Sequence, residues 1–171
     1  MHSLRQVGIQ HKIARTIEKE LKRYIKWAMQ DAGLDHYEFM PNISIKRFDS
    51  AKINKRNTAR MIERYFHDWA VDYRAYYAEM PGVTPPRLLY GLVIIQHAVM
   101  LLTIDSARPK AKARCFADFN IAQEDQWLDS SLNIAIPIHL ARKRLVQMAE
   151  DLQKAPSRGD IGRDNNDDDD A

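Results

Sequence analysis

Residues 88–104 read LLYGLVIIQHAVMLLTI, 17 consecutive residues without a formal charge in a chain that is 29% charged. As a helix this run would be about 25 Å long, which is shorter than the roughly 30 Å hydrocarbon core of a bilayer. Gln96 and His97 at its centre also disfavour a membrane span. A helix that is apolar on all sides belongs inside a protein. The run therefore predicts a central helix, 88–106, wrapped by the other helices, with burial between subunits as the alternative.

Apolar residues recur at steps of three and four on both sides of this run and predict further helices. The first runs from about Leu4 to Ala32, with Gly33 as its stop, and the second runs from about Asn57 or Thr58 to Met80. Thr84 and Pro85 open the central helix as N-cap and first residue. Short segments complete the prediction: a short helix at 121–131, a last helix from Pro137, and alternating strands at Asn42–Arg47 and Asn133–Ile136 that are expected to pair.

The predicted fold class is therefore mainly α, an orthogonal or bundle-like array of four to five helices around the apolar central helix 88–106, with at most a minor two-stranded β element. A chain of 171 residues suits one domain, predicted at 1–155. Residues 156–171 consist mostly of Asp, Asn, Gly, Arg and Ser, so they are expected to form a disordered acidic tail. Cys115 is the single cysteine, and the first residues lack a secretory signal pattern. We expect a reducing compartment, either the cytoplasm or a particle assembled there.

The charges are separated along the chain: residues 1–60 hold 13 Lys and Arg against 6 Asp and Glu, whereas residues 115–171 hold 6 against 12. Within the predicted first helix the cations are spaced three and four apart, which places them on one side and predicts contact with a phosphate backbone. The alternatives are a solvated helix face, in which Glu18 and Glu20 pair locally with the cations, and a membrane or partner surface. The cations with this spacing are Lys12, Arg15, Lys19, Lys22 and Lys26, and Arg23 lies close to them; we call all six the cationic stripe.

A second set of cations, Arg108, Lys110, Lys112 and Arg114, alternates with proline and alanine in a predicted loop. Small neighbours leave such side chains free to reach outward. Neither set interleaves aromatic residues with cations in the way that indicates base stacking. The predicted nucleic-acid contacts are therefore the cationic stripe of the first helix together with Lys110, Lys112 and Arg114.

Residues with catalytic or metal-binding chemistry are few. Glu63 and His67 lie four apart on the second predicted helix, but no matching pair recurs on another helix as a two-metal bundle requires. His97 is alone in the apolar run. No nucleophile elbow or Gly-rich phosphate loop is present in the sequence. We expect no catalytic residue, no metal and no cofactor.

These patterns favour a non-enzymatic, homo-oligomeric structural or assembly protein that contacts DNA or RNA through its basic helix. Small subunits of virion or packaging assemblies share this outline of long helices and a polar end, which is an analogy of architecture only. One alternative is an interaction module whose basic face and acidic tail dock on a protein partner. A second alternative is a metal-dependent enzyme that uses Glu63, His67 and His97. No stable membrane span is expected.

Overall fold

The fold is a mixed four-stranded sheet with helices on both faces. A computed structural model describes residues 2–48, 55–80, 82–123 and 127–154. In these ranges the elements are, in chain order, α1 (His2–Asp31), a 3-10 turn (Leu34–His36), β1 (Ile43–Phe48), α2 (Lys55–Ala78), β2 (Leu88–Ile95), β3 (Ala98–Asp105), β4 (Arg114–Asn120) and α3 (Trp127–Lys154). The strand order is β1-β2-β3-β4, with β1 parallel to β2 and the other neighbours antiparallel.

The prediction of a central helix at 88–106, and with it the mainly α fold class, is wrong. The run forms the hairpin β2–β3, in which Ile95 pairs with Ala98 across the two-residue turn Gln96-His97. Gln96 adopts a left-handed conformation with φ of 57°, as the first residue of a tight hairpin turn often does. Among the described residues, no helix has the length and apolarity that crossing a bilayer requires.

The uncharged run forms strands because both faces of this hairpin are covered. Strands buried on both faces are continuously hydrophobic, so they lose the alternation that marks a half-exposed strand. The β-branched residues Val93, Ile94, Ile95 and Val99 favour an extended chain. On one face, the side chains of Tyr90, Leu92 and Ile94 join the core formed with α1 and α3. On the other, Leu89 and Val93 join the aromatic side chains of α2.

Gly91 lies where α2 packs closest to the sheet. A Cβ atom at this position would lie 2.0 Å from Cζ of Phe66 and 2.4 Å from Cε1 of the same ring. Phe66 is fully buried and makes edge contacts with Tyr65 and Trp69, at ring-centroid distances of 5.7 and 5.9 Å. The absence of a side chain at Gly91 therefore creates the space that Phe66 fills.

Some of the remaining predictions are confirmed and others are wrong. The first two helices, the stop at Gly33 (φ 66°) and the strand after Asn42 are confirmed. The strand at Asn133–Ile136 and the helix start at Pro137 are wrong, because both lie inside α3, which begins at Trp127 and contains Pro137. The two-stranded β element is also wrong, since β1 pairs with β2 in a larger sheet. The predicted acidic tail, 156–171, lies outside the described residues.

An ion pair fixes α1 to the edge strand β1. Glu18 accepts a hydrogen bond of 2.8 Å from Nε of Arg47 and one of 2.7 Å from Nζ of Lys22. The hydrogen bond from Lys22, with a further contribution from Arg47, holds the pKa of Glu18 below its ordinary value of 4.5, although partial burial opposes this shift. A carboxylate with a lowered pKa stabilises the folded chain above the ordinary pKa, and the contribution is lost as the pH falls through the lowered value.

Glu18→Gln is therefore expected to lower the free energy of unfolding by about 1 kcal/mol at neutral pH and by progressively less below pH 4.5. Urea titrations at about pH 7 and pH 3.5 measure this difference. Glu20→Gln is the matched control, because the partner of Glu20 among the described residues is Arg23, on the exposed surface of α1, and the substitution should change little. An equal loss from Glu18→Gln at both pH values would contradict the assignment.

Candidate nucleic-acid interface

The loop between β3 and β4 presents its cations outward and its alanines inward. Ala111 and Ala113 are partly buried and pack against the core on the α2 side of the sheet. Lys110, Lys112 and Arg114, which alternate with them, are exposed. The alternation of cation and alanine in the sequence is thus the alternation of two sides of an extended segment.

Both ends of this loop are held by hydrogen bonds. At its start, the backbone N–H of Ser106 donates to the carbonyl of Arg87 (2.8 Å), and the guanidinium of Arg74 donates to the carbonyl of Ser106 (2.8 Å). At its end, the backbone N–H of Ala113 donates to the carboxylate of Glu63 on α2 (3.2 Å). The backbone that carries Arg108, Lys110 and Lys112 is therefore held at both ends before any ligand arrives, which reduces the cost of ordering the loop on binding.

An open groove of about 670 Å³ runs beside the loop. We call it the basic groove. Leu88 of β2 and Thr103 of β3 contribute the apolar and small polar parts of its lining, together with Ala111 of the loop. Its charged and aromatic lining consists of Asp105, Arg108, Lys110, Lys112, Arg114 and Phe116. Four cations and one carboxylate give the lining a formal charge of +3, so the groove attracts anions.

Phe116 is the exposed aromatic side chain of the basic groove, and 69% of its surface is accessible. It lies in a β-bulge, because Leu102 pairs with Cys115 while Leu101 pairs with Ala117, which leaves Phe116 without a partner on β3. A bulge changes the direction in which a side chain points and often lies next to a binding site. The bulge thus brings an aromatic ring to a row of cations.

Asp105 partly neutralises one end of the groove. It accepts hydrogen bonds of 2.9 and 2.7 Å from Nε and Nη2 of Arg87, and Nε of Arg108 lies 3.3 Å from the same carboxylate. The hydrogen bonds from Arg87 hold the pKa of Asp105 below its ordinary value. The cations beyond this ion pair, Lys110, Lys112 and Arg114, have no ion pair among the described residues, so they keep their full charge for a ligand.

A second cavity of about 390 Å³ lies on the other side of the loop. Lys110 and Lys112 line it too, and α2 contributes Arg60, Arg64 and His67. The cationic surface therefore continues from the basic groove across the loop to α2. Glu63 also lines this cavity, but its carboxylate already accepts the hydrogen bond from Ala113. In the described part of the chain, no three His, Cys, Asp or Glu side chains converge as a metal site requires.

The cationic stripe of α1 is exposed along its length, from Lys12 to Lys26. Two of its members are paired within the helix, Lys22 with Glu18 (2.7 Å) and Arg23 with Glu20 (2.8 Å). Because α1 packs on β1 and β2 whereas the loop connects β3 and β4, the two predicted sets lie towards opposite edges of the sheet. The structure does not bring them together, and contact with nucleic acid through the stripe stays a prediction.

Sequence reasoning missed Phe116 and the arginines of α2. A signal for Phe116 was present, because the period of two that joins Arg108, Lys110, Lys112 and Arg114 continues to position 116. Arg60 and Arg64 lie about 50 residues from the loop along the chain, and only the packing of α2 on the sheet brings them close to it. No protein-family model, curated protein or solved structure matches this chain.

Proposed function

We propose that this chain binds single-stranded nucleic acid in the basic groove and acts as a structural or assembly protein rather than an enzyme. The observation that carries the proposal is the position of Phe116 in the groove that Arg108, Lys110, Lys112 and Arg114 also line. Proteins that bind single strands combine a cationic groove, which follows the phosphates, with an aromatic ring on which a base stacks. The same groove contains both.

Each part of the groove has a separate contribution. Lysine and arginine neutralise phosphates and release counterions, which makes binding weaken as salt is added, with a slope of about −0.7 per phosphate for single strands. Stacking of a base on Phe116 depends little on salt. Binding is therefore expected to have a salt-dependent part from the loop and a salt-resistant part from the ring.

A single strand fits this surface better than a duplex. The basic groove is built from a loop and a bulged strand, and no helix projects from it that would enter the major groove of B-DNA. A base inside a duplex is already stacked on both faces, whereas a base in a single strand is free to lie on Phe116.

We place the protein in the cytoplasm or in a particle assembled there, consistent with its single, unpaired Cys115.

Phe116→Ala is expected to weaken binding of a 5′-fluorescein-labelled oligothymidylate of about 12 nucleotides by about 5- to 150-fold, the range for loss of one stacked base. Fluorescence anisotropy at several salt concentrations measures the affinity, and the salt slope should stay unchanged because no charge is removed. Trp27→Ala is the matched control: Trp27 is an exposed aromatic residue on α1, beside the cationic stripe.

Two outcomes would contradict the proposal. One is unchanged affinity in Phe116→Ala, and the other is a larger loss in Trp27→Ala, which would place the contact on α1.

Competition by polyglutamate provides a further test, because this polymer mimics an acidic protein partner. The proposal requires that polyglutamate of equal charge compete at least about tenfold less well than the unlabelled oligonucleotide, since it has no bases to stack.

A further inference from the structure

The outer face of α3 carries a row of exposed aliphatic side chains that the proposed function does not use. Between 45% and 54% of the surface of each is accessible. They follow one another at steps of four residues, and we call them the α3 row: Leu128, Leu132, Ile136 and Leu140. The opposite side of α3, which includes Ile138, Ala141 and Leu145, is buried against the sheet. The row is therefore an unpartnered apolar face and not the edge of the core.

The spacing of the α3 row is that of a packing ridge. Residues four apart form rows inclined by about 26° to the helix axis, and two helices that pack such rows against each other cross at about 50°, the commonest class of helix contact. Leu128 and Leu140 are 12 residues apart, so the row is about 18 Å long. Each member of the row is leucine or isoleucine, so a large aliphatic side chain stands at every position in either direction.

We propose that a second copy of this chain packs on the α3 row, with the two α3 helices antiparallel about a two-fold axis. In this arrangement Leu128 of one copy contacts Leu140 of the other, and Leu132 contacts Ile136. A two-fold interface uses the same surface on both copies, and the row offers four aliphatic side chains of similar size to such a pairing.

The charges that flank the row select the antiparallel arrangement. The first turn of α3, next to Leu128, carries the acidic residue Asp129. The sequence at and after its end is basic, with His139, Lys143 and Arg144. An antiparallel pair places the acidic end of each helix beside the basic end of the other, whereas a parallel pair would place like charges together.

Residues 155–171, which follow α3 in the sequence, contain no apolar segment of comparable size to the row. The last 17 residues, 155–171, contain six aspartates, and Ile161 is their one branched apolar residue. A segment of this composition does not replace water on four aliphatic side chains. A second copy supplies a matching aliphatic surface, so it is the occupant that we infer.

Sedimentation equilibrium over a concentration series up to about 0.5 mM tests the interface. The unaltered chain is expected to dimerise, and Leu132→Asp should raise the dimer dissociation constant at least about 30-fold, as loss of a central interface residue does. The matched control is Val71→Asp, which places the same charge at an exposed apolar residue of α2, on the other face of the sheet, and should leave the dimer intact. A chain that stays monomeric throughout this range overturns the proposal.

Disulfide cross-linking tests the orientation independently. In a Cys115→Ser background, which removes the single native thiol, chains carrying Leu128→Cys are mixed with chains carrying Leu140→Cys and oxidised. The antiparallel arrangement predicts that the mixed pair cross-links at least about tenfold faster than either variant alone. Faster cross-linking of Leu128→Cys with itself would overturn it.

Discussion

Gly91→Ala is expected to lower the free energy of unfolding by about 3 kcal/mol, because the added methyl group would lie within 2.0 Å of Phe66. The sign of this change in the free energy of unfolding distinguishes the packing effect from the backbone preference. Glycine inside a strand ordinarily costs about 0.5–1 kcal/mol relative to alanine, and φ of Gly91 is not in the left-handed region, so backbone preference alone predicts that alanine stabilises the chain. The loss arises entirely from the packing of α2 on the hairpin.

Phe66→Leu should partly rescue Gly91→Ala, since a smaller side chain makes room for the methyl group. Alone, Phe66→Leu is expected to cost about 1–2 kcal/mol, so the two losses should not add. Urea unfolding of the four chains, followed by circular dichroism, gives the coupling energy. Strict additivity, or a Gly91→Ala chain more stable than the original, would contradict the contact between α2 and β2.

The parts of the fold that were predictable from sequence are those with one exposed face. The helices α1 and α2 retain a period of three and four because one side of each meets water. In the edge strand β1, Ile43 and Ile45 alternate with Ser44 and Lys46. Gly33 ends α1 in a left-handed conformation, a frequent helix stop that glycine adopts without strain.

The hairpin was not predictable by the same signal. Its strands are covered on both faces, so its pattern is uniformly apolar and fits a buried helix equally well. What distinguishes the two is content and length. Gly91 and the β-branched Val93, Ile94 and Ile95 disfavour a helix, and 17 residues are close to two strands of eight joined by the polar pair Gln96-His97. Because this central run was predicted as one helix and forms two strands, the predicted fold class was wrong.

The prediction of the start of α3 was wrong for a different reason. Proline is most common in the first turn of a helix, so Pro137 predicted a helix start. In the structure Pro137 is fully buried inside α3, and the helix continues through it. Tertiary packing of Ile138 and Ala141 against the sheet outweighs the lost backbone hydrogen bond. The spacing of residues in the sequence does not reveal this stabilisation by packing.

For the candidate site, the cations of the loop could be predicted from the sequence, but the residues that lie beside them in the fold could not. Charge density is a local property, and Lys110, Lys112 and Arg114 are recognisable from it. The position of Phe116 in the groove depends on a bulge in β4, and the proximity of Arg60 and Arg64 to the loop depends on the packing of α2, both of which are tertiary features.

The largest expected effect on binding comes from reversing two charges of the basic groove. Lys112→Glu combined with Arg114→Glu would remove two of the proposed phosphate contacts and place two repulsive carboxylates beside the same strand. Binding of the oligothymidylate at about 50 mM salt should weaken at least about 100-fold, and the salt slope should fall in magnitude by about 1.4, since each single-strand contact contributes about 0.7. Both side chains are exposed, so the fold should be unaffected.

The matched control is Lys19→Glu combined with Lys26→Glu, on the cationic stripe of α1. It changes the net charge of the chain by the same amount and at equally exposed positions, so it reproduces any general effect of charge.

The most direct test of binding in the basic groove is therefore the salt dependence of oligothymidylate affinity for these two double variants and the unaltered chain, measured side by side. We expect a large loss of affinity and a shallower slope for Lys112→Glu with Arg114→Glu, and a loss of no more than about threefold with an unchanged slope for the α1 control. Equal losses in both variants, or a loss in the α1 control alone, would contradict binding in the basic groove.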